Sequence, residues 1–143
     1  GDAWSRIKPE AFFGQLTRSN ERCGGKLVPT IKFIKVVNQT FPETVRLTGY
    51  HIESLAIEAF RNYKGALNTK AMLKHFFEDS TNRVLKPITD RTGQSVYVDE
   101  YLGAANSQKR RLVSDALDRI LRQMKNADAS RSREQWLRIV GEE

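Results

Sequence analysis

The chain has 143 residues, of which 39% are hydrophobic and 29% are charged, a balance typical of one folded domain rather than a disordered segment. Its uncharged stretches are far shorter than the roughly 20 apolar residues of a membrane span, and its single cysteine, Cys23, excludes an internal disulfide and a thiol-based zinc site. We therefore expect a cytoplasmic protein without a membrane segment, and its formal charge of +7 favours anionic partners such as nucleotides, RNA or DNA.

The first half of the chain predicts three helices. Residues 1–8 show no pattern and are interpreted as a linker or a domain edge, and one helical domain is predicted over residues 9–141. Apolar residues at helical spacing predict helices over Glu10–Arg22 and Lys26–Thr40. A third helix is predicted to begin after Thr48, which can cap it, and to end at Gly65.

The second half predicts two or three more helices. Asn68 can cap a fourth helix, a long helix is predicted from about Ser107 to Asn126, and Ser130 can cap a short final one. Between them, Ser95–Val98 alternates briefly and is compatible with a short strand. The prediction is an irregular all-α bundle of five to six helices, with one possible β segment near 95–98.

The sequence contains none of the common catalytic patterns. There is no phosphate-binding GxxxxGK[ST] loop, no GxSxG element and no Asp-x-Asp pair for two-metal chemistry. His51 and His75 have no partner motif and are interpreted as structural. Asp115 and Asp118 share a helical face, but the nearby arginines predict ordinary ion pairs. We therefore predict no catalytic residue, no metal site and no cofactor within this chain.

A basic and aromatic group of residues is the best candidate site. Lys32 and Lys35 are three residues apart on the second predicted helix, and Thr48, Gly49 and Tyr50 open the third. A helix N-terminus has free N–H groups and a positive dipole end, which suit a phosphate, and a tyrosine ring can stack on a base. The alternative is that the lysines are solvated, Thr48 is only a cap and Tyr50 packs on the core.

The same residues carry a resemblance to a known family. The runs from Ile31 to Asn38 and from Leu47 to Leu55, and the loop from Lys86 to Gly93, resemble the second domain of the polymerase-β-like nucleotidyltransferases. The branch that is most similar holds the oligoadenylate synthetases and the bacterial cyclic-oligonucleotide synthases that resemble cyclic GMP–AMP synthase, which act in antiviral defence. The resemblance extends over nearly all of residues 9–140.

The resemblance implies a role for each of these residues. Lys35 would hold the triphosphate of a donor such as ATP with Lys32 assisting, Thr48 and Gly49 would occupy the hydroxyl position, and Tyr50 would stack on the base. Asp90 would order its loop. The family's serine is glycine in this chain, at Gly49, and Asp90 is followed by Arg91 where the family usually has proline.

The resemblance also implies a missing half. The family's Gly-Ser element and acidic triad belong to a preceding catalytic domain that would bind Mg²⁺, so we expect this chain to be inactive alone and to work with such an upstream domain. The product would be a cyclic or linear oligonucleotide messenger, or the parent enzyme would instead add poly(A) or CCA tails to RNA.

A non-enzymatic helical module that binds RNA or DNA is the alternative function. Residues 106–138 contain nine basic and four acidic side chains, and Lys109, Arg110 and Arg111 follow one another. Such a run can hold a nucleic-acid backbone. The alternative, which a charge run more often indicates, is a solvated helix face that forms internal ion pairs.

Overall fold

The described part of the chain is built from six α-helices. The computed structural model describes residues 10–88 and 98–141, and its helices are α1 (Glu10–Arg22), α2 (Leu27–Gln39), α3 (Gly49–Ala59), α4 (Thr69–Arg83), α5 (Gln108–Ala129) and α6 (Arg133–Ile139). Two 3₁₀ turns, Glu43–Val45 and Glu100–Leu102, lie in the connections, and these ranges contain no strand. The predicted all-α bundle is confirmed.

Two segments singled out in the sequence fall partly or wholly outside these ranges. Of the predicted β segment 95–98, only Val98 is described, and it lies in a turn. Asp90 and the rest of its loop up to Gly93 lie outside the described residues. Within the ranges that are described, no helix is both long and apolar enough to cross a membrane.

Polar caps set the starts of α3, α4 and α5. The side chains of Thr48, Asn68 and Ser107 accept hydrogen bonds from the backbone N–H groups of His51, Ala71 and Arg110. These bonds satisfy donors that have no partner inside the helix. Thr48 and Asn68 were predicted as caps, and Ser107 as the approximate start of the long helix.

Two predicted helix ends were wrong. The cap of α6 is Ser132 and not Ser130, because α5 continues to Ala129 and Ser130 ends it with an N–H bond to Asn126. The chain then reverses at Arg131, whose φ is 53°. At the other end of the bundle α3 stops at Ala59, well before Gly65.

One continuous apolar core joins α2 to α6. The long α5 packs along α4 and also contacts α6, while α3 lies against α2 and α4. Side chains with no exposed surface lie on α2, α3, α4 and α5, among them Leu27, Val37, Leu55, Met72, Phe76, Val113 and Met124. Burying each such side chain stabilises the fold by about 1.5–3 kcal/mol.

A smaller apolar cluster attaches α1 to α3. It consists of Phe12, Tyr50, Ile57 and Val98, all buried. Since α2 and α4 cover the opposite side of α3, this helix is enclosed on nearly all faces: every residue from Tyr50 to Ile57 is buried. The start of α3 is therefore held from several directions, which matters for the candidate site.

Candidate functional site

The approach to α3 is fixed by an asparagine at the end of α2. The buried side chain of Asn38 donates to the carbonyl oxygen of Leu47 and accepts from its N–H, both at 2.8 Å. The next residue, Thr48, caps α3 through a 3.2 Å bond from the His51 N–H to its hydroxyl. These bonds place the first turn of α3 beside α2.

Lys35 lies over that first turn. A Cβ placed on Gly49 would lie 3.7 Å from both Cε and Nζ of Lys35, which is ordinary contact distance. Gly49 is exposed, so the N-terminus of α3 and the ammonium of Lys35 face the same open region. The structure therefore brings together two of the residues predicted from sequence, a lysine and a helix N-terminus.

A carboxylate shares the Lys35 ammonium. Nζ of Lys35 lies 2.8 Å from Oε2 of Glu53, and the two side chains are 41% and 8% exposed. Sequence reasoning missed Glu53, which lies four residues after Gly49 on α3 and is turned toward α2. The pair orients Lys35 and at the same time neutralises part of its charge.

Lys32 supplies charge without such a partner. It is exposed one turn before Lys35 on α2 and forms no ion pair with any described residue. Residues three apart on a helix project from the same side, so both lysines add positive potential to this side of α2.

Tyr50 does not play the predicted stacking role in this arrangement. Its side chain is only 4% exposed and its ring packs edge-on against Phe12, with centroids 4.8 Å apart. A base needs an open ring face, and this ring is instead part of the cluster that attaches α1. The alternative interpretation, that Tyr50 packs on the core, is the arrangement found.

A buried polar network lies beneath the start of α3. The Thr48 N–H donates to Oη of Tyr101 at 3.1 Å, and that hydroxyl lies 2.6 Å from Nδ1 of His51. On the other edge of the ring, Nε2 of His51 lies 3.8 Å from Oδ2 of Asp99. The network links two segments, 48–51 and 99–101, that are far apart in sequence.

Burial controls the protonation of this network. It lowers the pKa of His51 to about 4, against a smaller opposing effect of Asp99, so the imidazole is neutral near pH 7. Burial also raises the pKa of Tyr101 to about 12, which keeps its hydroxyl protonated. The arrangement is a set of neutral hydrogen bonds beside one charged pair.

That charged pair includes a residue predicted to bind nucleic acid. Arg110 has no exposed surface, and its Nη1 donates to Oδ2 of Asp99 at 2.9 Å. The guanidinium also donates to five backbone carbonyls: Nη1 to those of Val84 (3.0 Å) and Lys86 (3.3 Å), Nε to those of Gly103 (2.9 Å) and Ala104 (3.1 Å), and Nη2 to that of Asp99 (3.2 Å). The prediction that Arg110 contacts nucleic acid is therefore wrong, because its guanidinium is buried and bonded to groups inside the protein.

Its two neighbours remain on the surface. Lys109 and Arg111 are exposed, and Nζ of Lys109 lies 5.9 Å from the centroid of the Tyr101 ring. The basic run is thus divided: one side chain holds the interior together and two face solvent.

The remaining polar candidates have structural partners. Nε2 of His75 lies 2.6 Å from the carbonyl oxygen of Ala59, and Asp118 pairs with Arg122 at 2.8 Å as the helical spacing predicts. Cys23 is buried, and burial raises the pKa of its thiol. Across residues 10–88 and 98–141, no three histidine, cysteine or acidic side chains group together as metal ligands would.

A broad cleft lies on another part of the bundle. It has a volume of about 940 Å³ and is lined by side chains of both charges from α3, α4 and the segment after α4, including Glu58, Glu78, Asp79, Arg83 and Lys86. Its acidic side chains outnumber its basic ones, which does not suit a polyphosphate. The candidate anion site therefore remains the surface formed by Lys35, Thr48 and Gly49, with Lys32 one turn earlier on α2, which we call the α2–α3 cradle.

The fold defines this protein as an irregular bundle of α-helices with a polar network under one helix N-terminus. Comparisons with protein-family models, curated proteins and solved structures give no match for the chain.

Proposed function

We propose that this chain is the nucleotide-positioning helical domain of a template-independent nucleotidyltransferase that makes a cyclic or linear oligonucleotide messenger in the cytoplasm. Its substrate is a nucleoside triphosphate, and an upstream catalytic domain supplies the carboxylates that bind Mg²⁺. The observation that carries the proposal is the position of the Lys35 ammonium over Gly49, at the N-terminus of α3. The sequence resemblance of the same residues supports it.

The α2–α3 cradle combines two sources of positive potential. The first N–H groups of an α-helix have no acceptor inside the helix, and the aligned peptide dipoles place about half a positive charge at that end. Lys35 adds an ammonium that Glu53 partly neutralises, with Nζ 3.7 Å from the place where a Cβ on residue 49 would lie, and Lys32 adds a charge from the same side of α2. A polyphosphate chain, which carries several negative charges, is the ligand that such a surface favours.

Glu53 limits how strongly the cradle attracts anions. A phosphate that approaches Lys35 meets the carboxylate 2.8 Å from Nζ and must share the ammonium with it. In the proposed role, this chain alone binds a triphosphate weakly but measurably at low salt, and further contacts in the upstream domain, including those of Mg²⁺, add to those of Lys35. Positioning of this kind contributes to phosphoryl transfer by holding the reacting groups in line.

The alternative function receives less support from the geometry. A nucleic-acid surface built on Lys109, Arg110 and Arg111 loses its central member to the interior. The two exposed side chains that remain give a smaller positive patch than the sequence predicts.

The proposal is tested by measuring how inorganic triphosphate and ATP bind to the full chain. Isothermal titration calorimetry at low salt compares the wild type with Lys35→Ala and with a control, Lys125→Ala. Lys125 is an exposed lysine on α5 whose replacement changes the net charge equally. We expect Lys35→Ala to weaken binding about tenfold, the loss expected for a charge-assisted contact, and Lys125→Ala to change it less than twofold.

Equal affinities for the two variants would refute the cradle. Binding of RNA or DNA that weakens steeply with salt, together with no response to Lys35→Ala, would instead favour the binding-module hypothesis. In a protein that carries the upstream domain, Lys35→Ala should also reduce product formation.

A further inference from the structure

The hydroxyl of Tyr101 is the only described side-chain group that binds the backbone N–H of Thr48, the residue that caps α3. Tyr101 lies 53 residues later in the chain, in the 3₁₀ turn Glu100–Leu102 that precedes α5. The position of the α3 N-terminus therefore depends on a long-range bond as well as on the local cap.

The direction of the bonds follows from the surroundings of His51. Its ring is neutral, and the carboxylate of Asp99 faces Nε2 at 3.8 Å, so the single ring proton is favoured on Nε2. Nδ1 is then an acceptor, and the Tyr101 hydroxyl at 2.6 Å donates to it. With its proton directed at His51, the oxygen of Tyr101 is free to accept from Thr48.

Asp99 is itself immobilised. Its Oδ2 accepts from Nη1 of Arg110 at 2.9 Å and from the Ile88 N–H at 3.0 Å. Hydrogen bonds therefore run from Arg110 to Asp99 on one side and from His51 through Tyr101 to the first turn of α3 on the other, and the two parts meet at the 3.8 Å contact between Nε2 of His51 and Oδ2 of Asp99, which is too long for a hydrogen bond. Groups held in this way keep their geometry because buried hydrogen bonds are costly to leave unmade.

We infer that Tyr101 is a positioning residue for nucleotide binding. Its hydroxyl, directed by His51, holds the Thr48 N–H so that the N–H of Gly49 and the ammonium of Lys35 are presented together to a triphosphate. The inference rests on the proposed function, since it assigns the origin of the cradle's geometry. Tyr101 contacts no phosphate in this role and acts through the backbone of Thr48.

Two of the backbone N–H groups at the start of α3 already have hydrogen-bond acceptors within the protein. The Thr48 N–H is already used by Tyr101 and that of His51 by the Thr48 hydroxyl. The anion therefore meets the Gly49 N–H next to Lys35 rather than the cap itself. A ligand at this site should alter the environment of Gly49 and leave the Thr48 bond in place.

The experiment compares Tyr101→Phe with Tyr63→Phe. Each change removes one hydroxyl that forms a hydrogen bond to the backbone, and Tyr63 bonds to Ala66 at 2.6 Å, away from the cradle. Calorimetry with inorganic triphosphate measures affinity, and thermal unfolding measures stability. We expect Tyr101→Phe to weaken affinity about fivefold, the factor for one net hydrogen bond, while Tyr63→Phe leaves affinity unchanged.

The inference would be overturned if Tyr101→Phe unfolded at a lower temperature but bound triphosphate with the affinity of the wild type. The tyrosine would then have a structural role only. If that variant does not fold, amide hydrogen exchange of the wild type decides. The inference requires a slow Thr48 amide without ligand and slowing of the Gly49 amide by triphosphate. A rapidly exchanging Thr48 amide contradicts it.

Lys35→Ala in the same series separates the two proposals. If Lys35→Ala binds triphosphate with unchanged affinity, the proposed function itself is refuted. Weakened affinity in Lys35→Ala with normal affinity in Tyr101→Phe removes only the positioning role.

Discussion

His51 makes the stability of this fold sensitive to mild acid. The side chain has no exposed surface, and burial lowers its pKa from 6.5 to about 4. The unfolded chain binds a proton below about pH 6.5, while the folded chain resists it until about pH 4. Above pH 6.5 the histidine is neutral in both states, so its burial does not make the free energy of unfolding depend on pH. As the pH falls from 6.5 toward 4, only the unfolded chain gains a proton, and the free energy of unfolding decreases.

The size of the effect follows from the pKa difference. The full shift from 6.5 to about 4 corresponds to about 3 kcal/mol, and linkage assigns about 2 kcal/mol of it to the interval from pH 7 to pH 5. Asp128, whose pKa is lowered chiefly by its hydrogen bond from Lys74, titrates below its ordinary value of 3.8 and lies outside that interval.

Urea unfolding at pH 7 and pH 5, followed by circular dichroism, measures the loss. The wild type should lose about 2 kcal/mol between the two values, while His51→Gln, which cannot take up a proton, should lose much less whatever its stability at pH 7. Equal losses in the two proteins would refute the assignment of the acid sensitivity to His51.

Two further substitutions test the polar interior and the cradle. Arg110→Lys should lower the free energy of unfolding in urea by about 3–5 kcal/mol, because one ammonium cannot replace a buried guanidinium that binds Asp99 and several carbonyls. The control is Arg111→Lys, next to it on the surface, which should change the free energy of unfolding by less than about 0.5 kcal/mol. Similar losses in both variants would contradict the structural role of Arg110. Glu53→Gln should tighten triphosphate binding about threefold, because it removes a negative charge beside Lys35; weaker binding in calorimetry would mean that orientation of Lys35 outweighs charge.

Local patterns were sufficient to predict much of the fold. The caps Thr48, Asn68 and Ser107 each precede an apolar stripe, and both the cap and the stripe depend on residues within one or two helical turns. The last helix shows the limit of this method. Ser130 and Ser132 are equally good caps by residue type, and only the length of α5 decides between them.

Arg110 illustrates a signal that the sequence did contain. It precedes Val113 by three residues and Leu117 by seven, so it lies on the same stripe of α5 as the buried residues. The prediction that Lys109, Arg110 and Arg111 form one basic surface used their charge alone. It did not consider that Arg110 lies on the apolar stripe. An arginine on an apolar stripe predicts an internal polar network.

Tyr50 and Glu53 could not be placed in the same way. They lie outside the main apolar stripe of α3, and they are buried because α1 and α2 cover that side of the helix. Contacts of this kind depend on how helices distant in sequence dock, which periodicity within one helix does not specify. The proximity of Lys35 to Gly49 also depends on how α2 and α3 dock, so it could not be predicted from either helix alone.

The paired hydrogen bonds between Asn38 and Leu47 have a mechanical consequence. An amide side chain that bonds to both the N–H and the carbonyl of one residue imitates a neighbouring peptide strand, and it couples the end of α2 to the residue just before the α3 cap. A tilt of α2, for example when another domain docks, would therefore pull on the start of α3, which the bond between Thr48 and Tyr101 also ties to the segment before α5. The spacing between Lys35 and Gly49 would change only if one of these connections broke.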